Sequence, residues 1–385
     1  MPAAAANRVI QVLCLLALAA LLGLSFGSVQ PNRIVPGTDF GIFAALGPAA
    51  AAPVALLGLV TLLAWRPNPR RYCLVLTGCI LLLGALPWAL AWFAQQKVPP
   101  DLPYARAGTG AAVWCLAFLL LLIAGEALQR LHSGWLKLPL ILLPLLSLLL
   151  CAGNGGLEPL ALMREYSSRS DQFGRELRTH LLLVAATIGF ALLLGFALGV
   201  LASRSALWRR PIFAVVNFLQ TIPSLALFGL LMVPLSYLSA HSPWLQQLGV
   251  RGIGWAPALL ALIAYSLLPM VRNSYVALTE VPPALIEAAR GMGMSRRQIF
   301  LQVRLPLALP VIFEGLRVTT VQAIGLTTVA ALIGAGGLGT FVFQGLGQAA
   351  MDLVLLGAIP TILLALLADV LLGSCAGIFR HGGRA

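Results

Sequence analysis

The sequence predicts an all-α polytopic membrane protein with about ten transmembrane helices. Hydrophobic residues make up 60% of the 385 residues and charged residues only 10%, whereas a soluble domain carries about 25% charged residues. The mean hydropathy is +0.94. Uncharged runs of about twenty residues recur along the chain, and each is long enough to cross a bilayer as a helix.

The predicted spans follow one another with short connections. They are 9–29, 42–65, 72–94, 107–126, 138–154, 181–203, 211–238, 254–272, 309–333 and 352–376. Arg8 before the first run is also typical of a signal peptide, but the number of further spans favours an uncleaved first helix.

Positive charge is distributed unevenly over the loops. If both termini are cytoplasmic, the inner loops carry about twice as many Lys and Arg side chains as the outer loops, so the positive-inside rule predicts this orientation. The formal net charge of +13 resides in these loops. No basic run or basic-aromatic patch suits a phosphate backbone, so no nucleic-acid partner is expected.

The chain divides into four predicted parts. Residues 1–155 form an N-terminal five-span membrane extension without a recognisable site, and residues 177–377 hold the other five spans. The polar segment 156–180 has nearly balanced charges and is predicted to be extracytoplasmic. It is either a solvated face or a contact for a binding protein. Residues 378–385 form a cytoplasmic tail. The six cysteines lie in or beside apolar segments and predict no disulfide framework or metal site.

A charged island, Glu287–Pro310, separates the eighth and ninth spans. Its first three residues can form a small-faced helical turn. Gly291 and Gly293 are predicted to break that turn, because Gly costs roughly 1 kcal/mol in a helix interior.

A second short helix is predicted to start at Ser295 as N-cap, with Gln298 as its capping-box partner. Two short helices joined by a Gly bend make a protruding knob. Its positive charges suit the cytoplasmic side. A basic loop without a partner is the alternative interpretation. The charges are Arg290, Arg296, Arg297 and Arg304.

This island resembles the cytoplasmic EAA loop of binding-protein-dependent ABC importer permeases. The departure is Val303, where the family usually has Ile, and it removes only a methylene. From about residue 177 to 377, five spans with the loop between the third and fourth resemble the type I, MetI-like permease core. The matching positions are Glu287, Ala288, Ala289, Gly293, Leu305, Pro306 and Pro310.

Two apolar stretches indicate which group of these permeases the chain resembles. Leu219–Leu235 and Ala331–Leu346 are similar to the osmoprotectant permeases for glycine betaine, choline and related solutes. Within that group, the five-span extension is most like the YehY-type permease.

The resemblance implies a permease subunit in the bacterial inner membrane that lies in the lipid bilayer and forms the translocation pathway. It pairs with a second permease subunit, either itself or a paralogue, and receives substrate from an extracytoplasmic binding protein. Separate ABC ATPase subunits use ATP and act through the EAA loop. Glu287 would pair with a basic residue of the ATPase, Gly293 would permit the bend, and Leu305 with Pro306 would anchor the loop to the next span. No P-loop is present, so this chain is not expected to bind ATP or any other cofactor.

A glycine-rich turn follows the ninth span. The positions Gly334, Gly336 and Gly339 spell G-x-G-x-x-G, but they follow an apolar span and not a strand, which argues against dinucleotide binding. With Gly337, they predict a flexible or re-entrant turn facing the pathway or the outer vestibule, since unpaired backbone at membrane depth must be buried in protein or line water. Plain helix termination is the alternative.

A second candidate pathway element lies in the seventh span. Pro223 and Pro234 are predicted to kink that span, and small polar side chains gather around the first kink. A kinked polar turn suits either a pathway or helix packing. The candidate residues are Gln220, Thr221, Pro223 and Ser224.

Intramembrane charges are few. Glu314 and Arg317 are three residues apart and are predicted to form a structural ion pair, with an ion relay as the alternative. Asp352 is predicted to cap the last span and Asp369 to make an inward polar contact. No catalytic constellation is visible, so an enzyme is not expected. The alternative function is an ion-gradient-driven secondary transporter or channel, which would be expected to show inverted repeats or coupled charges.

Overall fold

A computed structural model describes residues 6–32, 35, 37–65, 68–99, 101–102, 104–132 and 135–381. Residues 382–385 of the predicted tail lie outside the described residues. The chain divides into two compact units, Met1–Ser168 and Arg169–Ala385.

The described part of the N-terminal unit contains seven α-helices and three short strands. The helices are α1 (Arg8–Gly23), α2 (Ile42–Leu46), α3 (Ala51–Leu63), α4 (Pro69–Lys97), α5 (Ala111–Leu131), α6 (Lys137–Gly153) and α7 (Ala161–Ser168). The strands are β1 (Gly27–Gln30), β2 (Thr38–Phe40) and β3 (Arg106–Thr109).

The strands form an antiparallel sheet in the order β2-β1-β3, with Gly27 opposite both Phe40 and Thr109. The sequence does not predict this sheet, because residues 24–29 belong to the apolar run of the first predicted span. The helix ends at Gly23 because Leu24 is extended and the Phe26 amide donates to the Phe40 carbonyl at 2.8 Å. Long-range pairing of this kind leaves little trace in a short apolar run.

The described part of the C-terminal unit is entirely helical. Its helices are α8 (Ser170–Arg204), α9 (Ala206–Thr221), α10 (Ser224–His241), α11 (Pro243–Gln247), α12 (Trp255–Thr279), α13 (Pro283–Gly291), α14 (Arg296–Gln298), α15 (Leu305–Ala330), α16 (Gly339–Gly347) and α17 (Met351–His381).

Helices α8 and α12 form the centre of this unit and approach closely. A Cβ at Gly195 would lie 2.5 Å from the Met270 Cβ, and one at Gly199 would lie 2.5 Å from the Ser274 Cβ. Small residues at such crossings let membrane helices pack backbone to backbone. The loop and the candidate pathway elements are arranged around this pair.

The predicted fold class is confirmed. Eight described helical segments are long and apolar enough to cross a membrane, and two shorter apolar helices, Arg8–Gly23 and Leu138–Gly153, account for the other two predicted spans. The eight are Ile42–Leu63, Pro69–Lys97, Ala111–Leu131, Ser170–Arg204, Ser224–His241, Trp255–Thr279, Arg296–Ile333 and Met351–Cys375.

One predicted span was wrong as a single element. Residues 211–238 are two helices, α9 and α10, which separate at Ile222 and Pro223. Ile222 is extended because the proline ring disfavours the helical region for the residue before it. Pro223 therefore ends one helix and precedes another, while Pro234 lies inside α10 as a helical residue.

Candidate functional site

The loop Glu287–Pro310 begins with α13, which ends in a Schellman motif. The Met294 amide donates to the Ala289 carbonyl at 3.2 Å and the Gly293 amide to the Arg290 carbonyl at 3.0 Å. Gly293 has φ +78°, a left-handed conformation that glycine adopts without a Cβ penalty. The predicted break lies at Gly293, while Gly291 is the last residue of the helix.

The predicted capping box at Ser295 is confirmed. The Gln298 amide donates to the Ser295 Oγ at 3.4 Å, and the Ser295 amide donates to the Gln298 Oε1 at 2.8 Å. Both bonds satisfy amides that have no partner in the first turn of the helix.

The second helix of the loop is not short, which corrects the prediction. A single helical segment runs from Arg296 to Ile333 over 38 residues and includes the ninth span, predicted as 309–333. After α14, the segment continues as a π-helical turn over Ile299–Arg304, and the Leu305 amide donates to the Phe300 carbonyl. Pro306 has no amide hydrogen to continue the regular pattern, so this wider turn lies where the helix enters the span.

The loop packs against the unit through one face. Ala289 and Ile299 are buried, and Phe300 and Leu305 pack on a cluster that includes Met270 and Leu278 of α12. The Arg204 guanidinium at the end of α8 lies 4.7 Å from the centroid of the Phe300 ring, a cation–π contact. The start of the long helix is thus held between α8 and α12.

The opposite face of the loop is exposed. Glu287 and Ala288 point away from the packed face, where Ala289 is buried. Leu285 is 45% exposed and Met292 is 76% exposed, although both are apolar. A short segment that exposes one acidic side chain and two large apolar side chains, outside the candidate spans, is chemically suited to a protein partner.

At the break between α9 and α10, the polar groups are engaged with α12. Pro269 in α12 has no amide hydrogen for the carbonyl of Tyr265 four residues earlier, and the Gln220 Nε2 donates to that carbonyl at 2.7 Å. The Tyr265 hydroxyl in turn donates to the Ile222 carbonyl beside Pro223. The missing amide of Pro269 and the extended conformation of Ile222 thus leave two carbonyl groups that side chains satisfy.

The other two candidates at this break are not part of that network. The Thr221 hydroxyl donates to the Phe218 carbonyl at 2.7 Å within its own helix and is exposed. Ser224 is half-buried as the first residue of α10.

The glycine-rich turn is a tight connection between α15 and α16. Gly334, Gly336 and Gly337 all have φ between +76° and +88°. The Gly337 amide donates to Glu176 Oε2 of α8 at 2.6 Å. A Cβ at Gly339 would overlap the Thr328 carbonyl oxygen, so only glycine fits at the start of α16.

The polar segment 156–180 is partly internal. Glu165 is 5% exposed and pairs with Arg106 at 3.2 Å within the N-terminal unit, while Glu176 holds the glycine turn in the C-terminal unit. His180 is fully buried and lies beside Gly337. A wholly solvated face therefore does not describe this segment.

The predicted ion pair has a second acid. The Nη1 of Arg317 lies 3.5 Å from Glu314 Oε2, as the spacing predicted. Shorter bonds join its Nε and Nη2 to the two Asp369 oxygens, at 2.5 and 2.6 Å. Asp352 is in the first turn of α17 and not its N-cap, because the helix begins at Met351.

The structure brings the two candidate pathway elements to one place. Ile222 from the helix break and Ile333 and Ala335 from the glycine turn pack on a cluster that includes Tyr265. The loop lies on a different cluster at the other end of the long helix. Sequence reasoning missed Tyr265, Glu176 and the partnership of Asp369. An isolated acid in an apolar helix was the available signal for Asp369.

Two family models match this chain. Residues 191–374 match the family described as "Binding-protein-dependent transport system inner membrane component", and residues 7–163 match "ABC transporter permease YehY, N-terminal domain". The first match includes the whole Glu287–Pro310 loop.

Individual relatives match about half of the chain. The osmoprotectant import permease protein OsmW of Salmonella typhimurium is 45% identical over 193 residues, which are 50% of this chain and 85% of that protein. The glycine betaine/carnitine/choline permease protein OpuCD of Bacillus subtilis is 37% identical over 54% of this chain and 84% of that protein. Among solved structures, the inward-facing MetNI methionine ABC transporter aligns with 55% of this chain and 98% of its own at 24% identity, with a TM-score of 0.47.

Proposed function

The chain belongs to the inner membrane components of binding-protein-dependent transport systems, the permease subunits of ABC importers, and we propose that its substrate is a small osmoprotectant such as glycine betaine, choline or carnitine. It is not the ATPase of such a system, which is a separate partner. The observation that supports this substrate class best is the 45% identity to an osmoprotectant import permease.

The exposed face of the Glu287 loop docks on the ATPase subunit. Glu287 pairs with a basic residue of that subunit, while Leu285 and Met292 fill an apolar groove. The buried Ala289 and the Gly293 turn hold this face in place.

The long helix transmits the movement. Its 38 residues, at 1.5 Å each, extend about 57 Å, well beyond the roughly 30 Å of a bilayer core. One end is in the loop and the other joins the glycine turn at Gly334. ATP-driven closure of the ATPases therefore shifts the loop, and the helix carries the shift to the cluster between the glycine turn and the Pro223 break.

The pathway elements act as a gate in this proposal. Gly334, Gly336, Gly337 and Gly339 form the turn at the far end of the helix, and Gln220, Thr221, Pro223 and Ser224 form the break opposite it. Two conformations of this region, biased by contacts at the loop, give inward-facing and outward-facing states.

The remaining partners follow from the class. A second permease subunit completes the pathway, and an extracytoplasmic binding protein delivers the substrate. Residues 156–180 lie on the extracytoplasmic side in this proposal, with both termini in the cytoplasm. Residues 1–155 form a membrane extension and residues 177–377 the permease core.

The test is uptake of labelled glycine betaine into proteoliposomes that contain the assembled complex, with ATP inside and binding protein outside. Glu287→Arg is expected to lower uptake more than tenfold, because the reversed charge repels the basic partner residue. Glu280→Arg is the matched control: this exposed acid caps α12 just before the loop, and its reversal is expected to leave uptake unchanged.

The outcomes separate the parts of the proposal. Uptake that does not require ATP and that depends on an ion gradient would contradict an ATP-driven mechanism. Equal loss in both variants would contradict the specific role of Glu287. Stimulation of ATP hydrolysis only by a binding protein loaded with a solute that is not an osmoprotectant, with no uptake of glycine betaine, choline or carnitine, would show that the substrate class is wrong.

A further inference from the structure

The N-terminal unit contains an apolar cavity of about 450 Å³. It lies among α1, α2, α3, α4 and α5, and all of its lining residues are apolar. Small side chains, among them Ala52 of α3 and Ala85 and Ala89 of α4, leave the space that larger side chains would fill.

The cavity is open at the surface of two candidate membrane spans. Leu81 and Trp92 line it, yet they are 58% and 53% exposed. Ala52 and Ala85 also line it and are exposed. Because α3 and α4 lie in candidate spans, this opening is at the depth of the lipid hydrocarbon.

The chemistry of the lining selects the occupant. The cavity offers no charged side chain, and its Trp92 indole is the one side-chain hydrogen-bonding group among the lining residues. A zwitterionic osmolyte would lose its hydration there without compensation, and an apolar cavity does not hold water stably. A hydrocarbon chain from the surrounding bilayer has no hydration to lose on entry.

The size of the cavity agrees with such a chain. At about 30 Å³ for a water-sized group, 450 Å³ holds roughly fifteen groups. A methylene has about that volume, so the cavity has the capacity of one long acyl chain.

We propose that this cavity in the N-terminal unit binds an acyl chain of a membrane phospholipid. The lipid enters between α3 and α4 and is a bound component of the unit, with its headgroup left at the bilayer surface. This site is separate from the coupling loop and from the candidate gate, and the proposal does not depend on which solute is transported.

The experiment compares phospholipid bound to the purified full-length chain by native mass spectrometry. Ala52→Phe and Ala85→Phe place a ring in the cavity from two different helices. Ala55→Phe is the matched control, because Ala55 is an exposed alanine of α3 that does not line the cavity. Wild type and Ala55→Phe are expected to retain about one phospholipid more than either cavity variant.

A second measurement maps the position of the lipid. A phosphatidylglycerol with a diazirine at the end of one acyl chain is expected to crosslink to peptides of α3 and α4 in wild type, and not in Ala85→Phe. Equal lipid retention in all variants would overturn the proposal. Crosslinks confined to other helices, or release of the lipid by brief detergent exchange in wild type, would also overturn it.

Discussion

The ion pair between Arg317 and Asp369 is expected to be the strongest polar interaction between α15 and α17. Arg317 donates to both oxygens of Asp369, at 2.5 and 2.6 Å, but meets Glu314 only at 3.5 Å. Helix α17 has Gly373 opposite the guanidinium, where a Cβ would lie 3.3 Å away. The geometry therefore favours the distant acid over the one that the sequence suggested.

The expected loss in the free energy of unfolding follows from the two hydrogen bonds between Arg317 and Asp369. A hydrogen bond to a charged group contributes about 1.5–3 kcal/mol. Arg317 and Asp369 both lie in candidate membrane spans, where an unpaired charge is costly. Asp369→Asn removes the charge but keeps the shape, and is expected to lower the free energy of unfolding by about 3 kcal/mol. Glu314→Gln, the matched control within the same cluster, is expected to lower it by less than about 1 kcal/mol.

Reversible unfolding of the purified chain in mixed detergent micelles measures both values. The variants Arg317→Met and Asp369→Leu, measured singly and together, test the pairing, because removing both charges should cost less than the sum of these two single losses. Equal losses for Asp369→Asn and Glu314→Gln, or strictly additive losses in the double variant, would refute the reasoning.

Two further predictions concern the loop and the helix break. Gly293→Ala is expected to destabilise the turn by about 1 kcal/mol, because alanine is strained at φ +78°. Gly291→Ala, at the end of α13, is the control and should be neutral or stabilising. Amide hydrogen exchange in the turn is therefore expected to be faster in Gly293→Ala and unchanged in Gly291→Ala. Gln220→Ala is expected to lower the free energy of unfolding by about 1–3 kcal/mol, because it leaves the Tyr265 carbonyl without its donor. Adding Pro269→Ala should recover part of this loss, since the new backbone amide can donate to that carbonyl. Additive losses in that double variant would contradict the second argument.

Local patterns in the sequence predicted the loop well. Ser295 and Gln298 form the capping box, and Gly293 forms the bend, because both features depend on residues within a few positions of one another. The prediction of a short second helix was less accurate. The helix that begins at Arg296 continues into the span, since the π-helical turn accommodates Pro306 without ending the helix.

Contacts between distant positions could not be predicted in the same way. Asp369 is 52 residues from Arg317, and Gln220 is 45 residues from Tyr265. Both pairs depend on which faces of two apolar helices meet, and helices that are hydrophobic all round carry little information about that choice. The small sheet was missed for a related reason, because strand pairing at residues 27–30 depends on partners at residues 38–40 and 106–109.

The sequence by itself determined the all-helical membrane fold class and the position of the loop Glu287–Pro310, because hydropathy, charge and short motifs are local properties. Only the tertiary structure decided that α9 and α10 separate at Pro223, that Asp369 is the main partner of Arg317, and that the N-terminal unit contains an apolar cavity. These features depend on side-chain packing between helices, where the same apolar composition is compatible with many arrangements and the close fit of particular residues selects one.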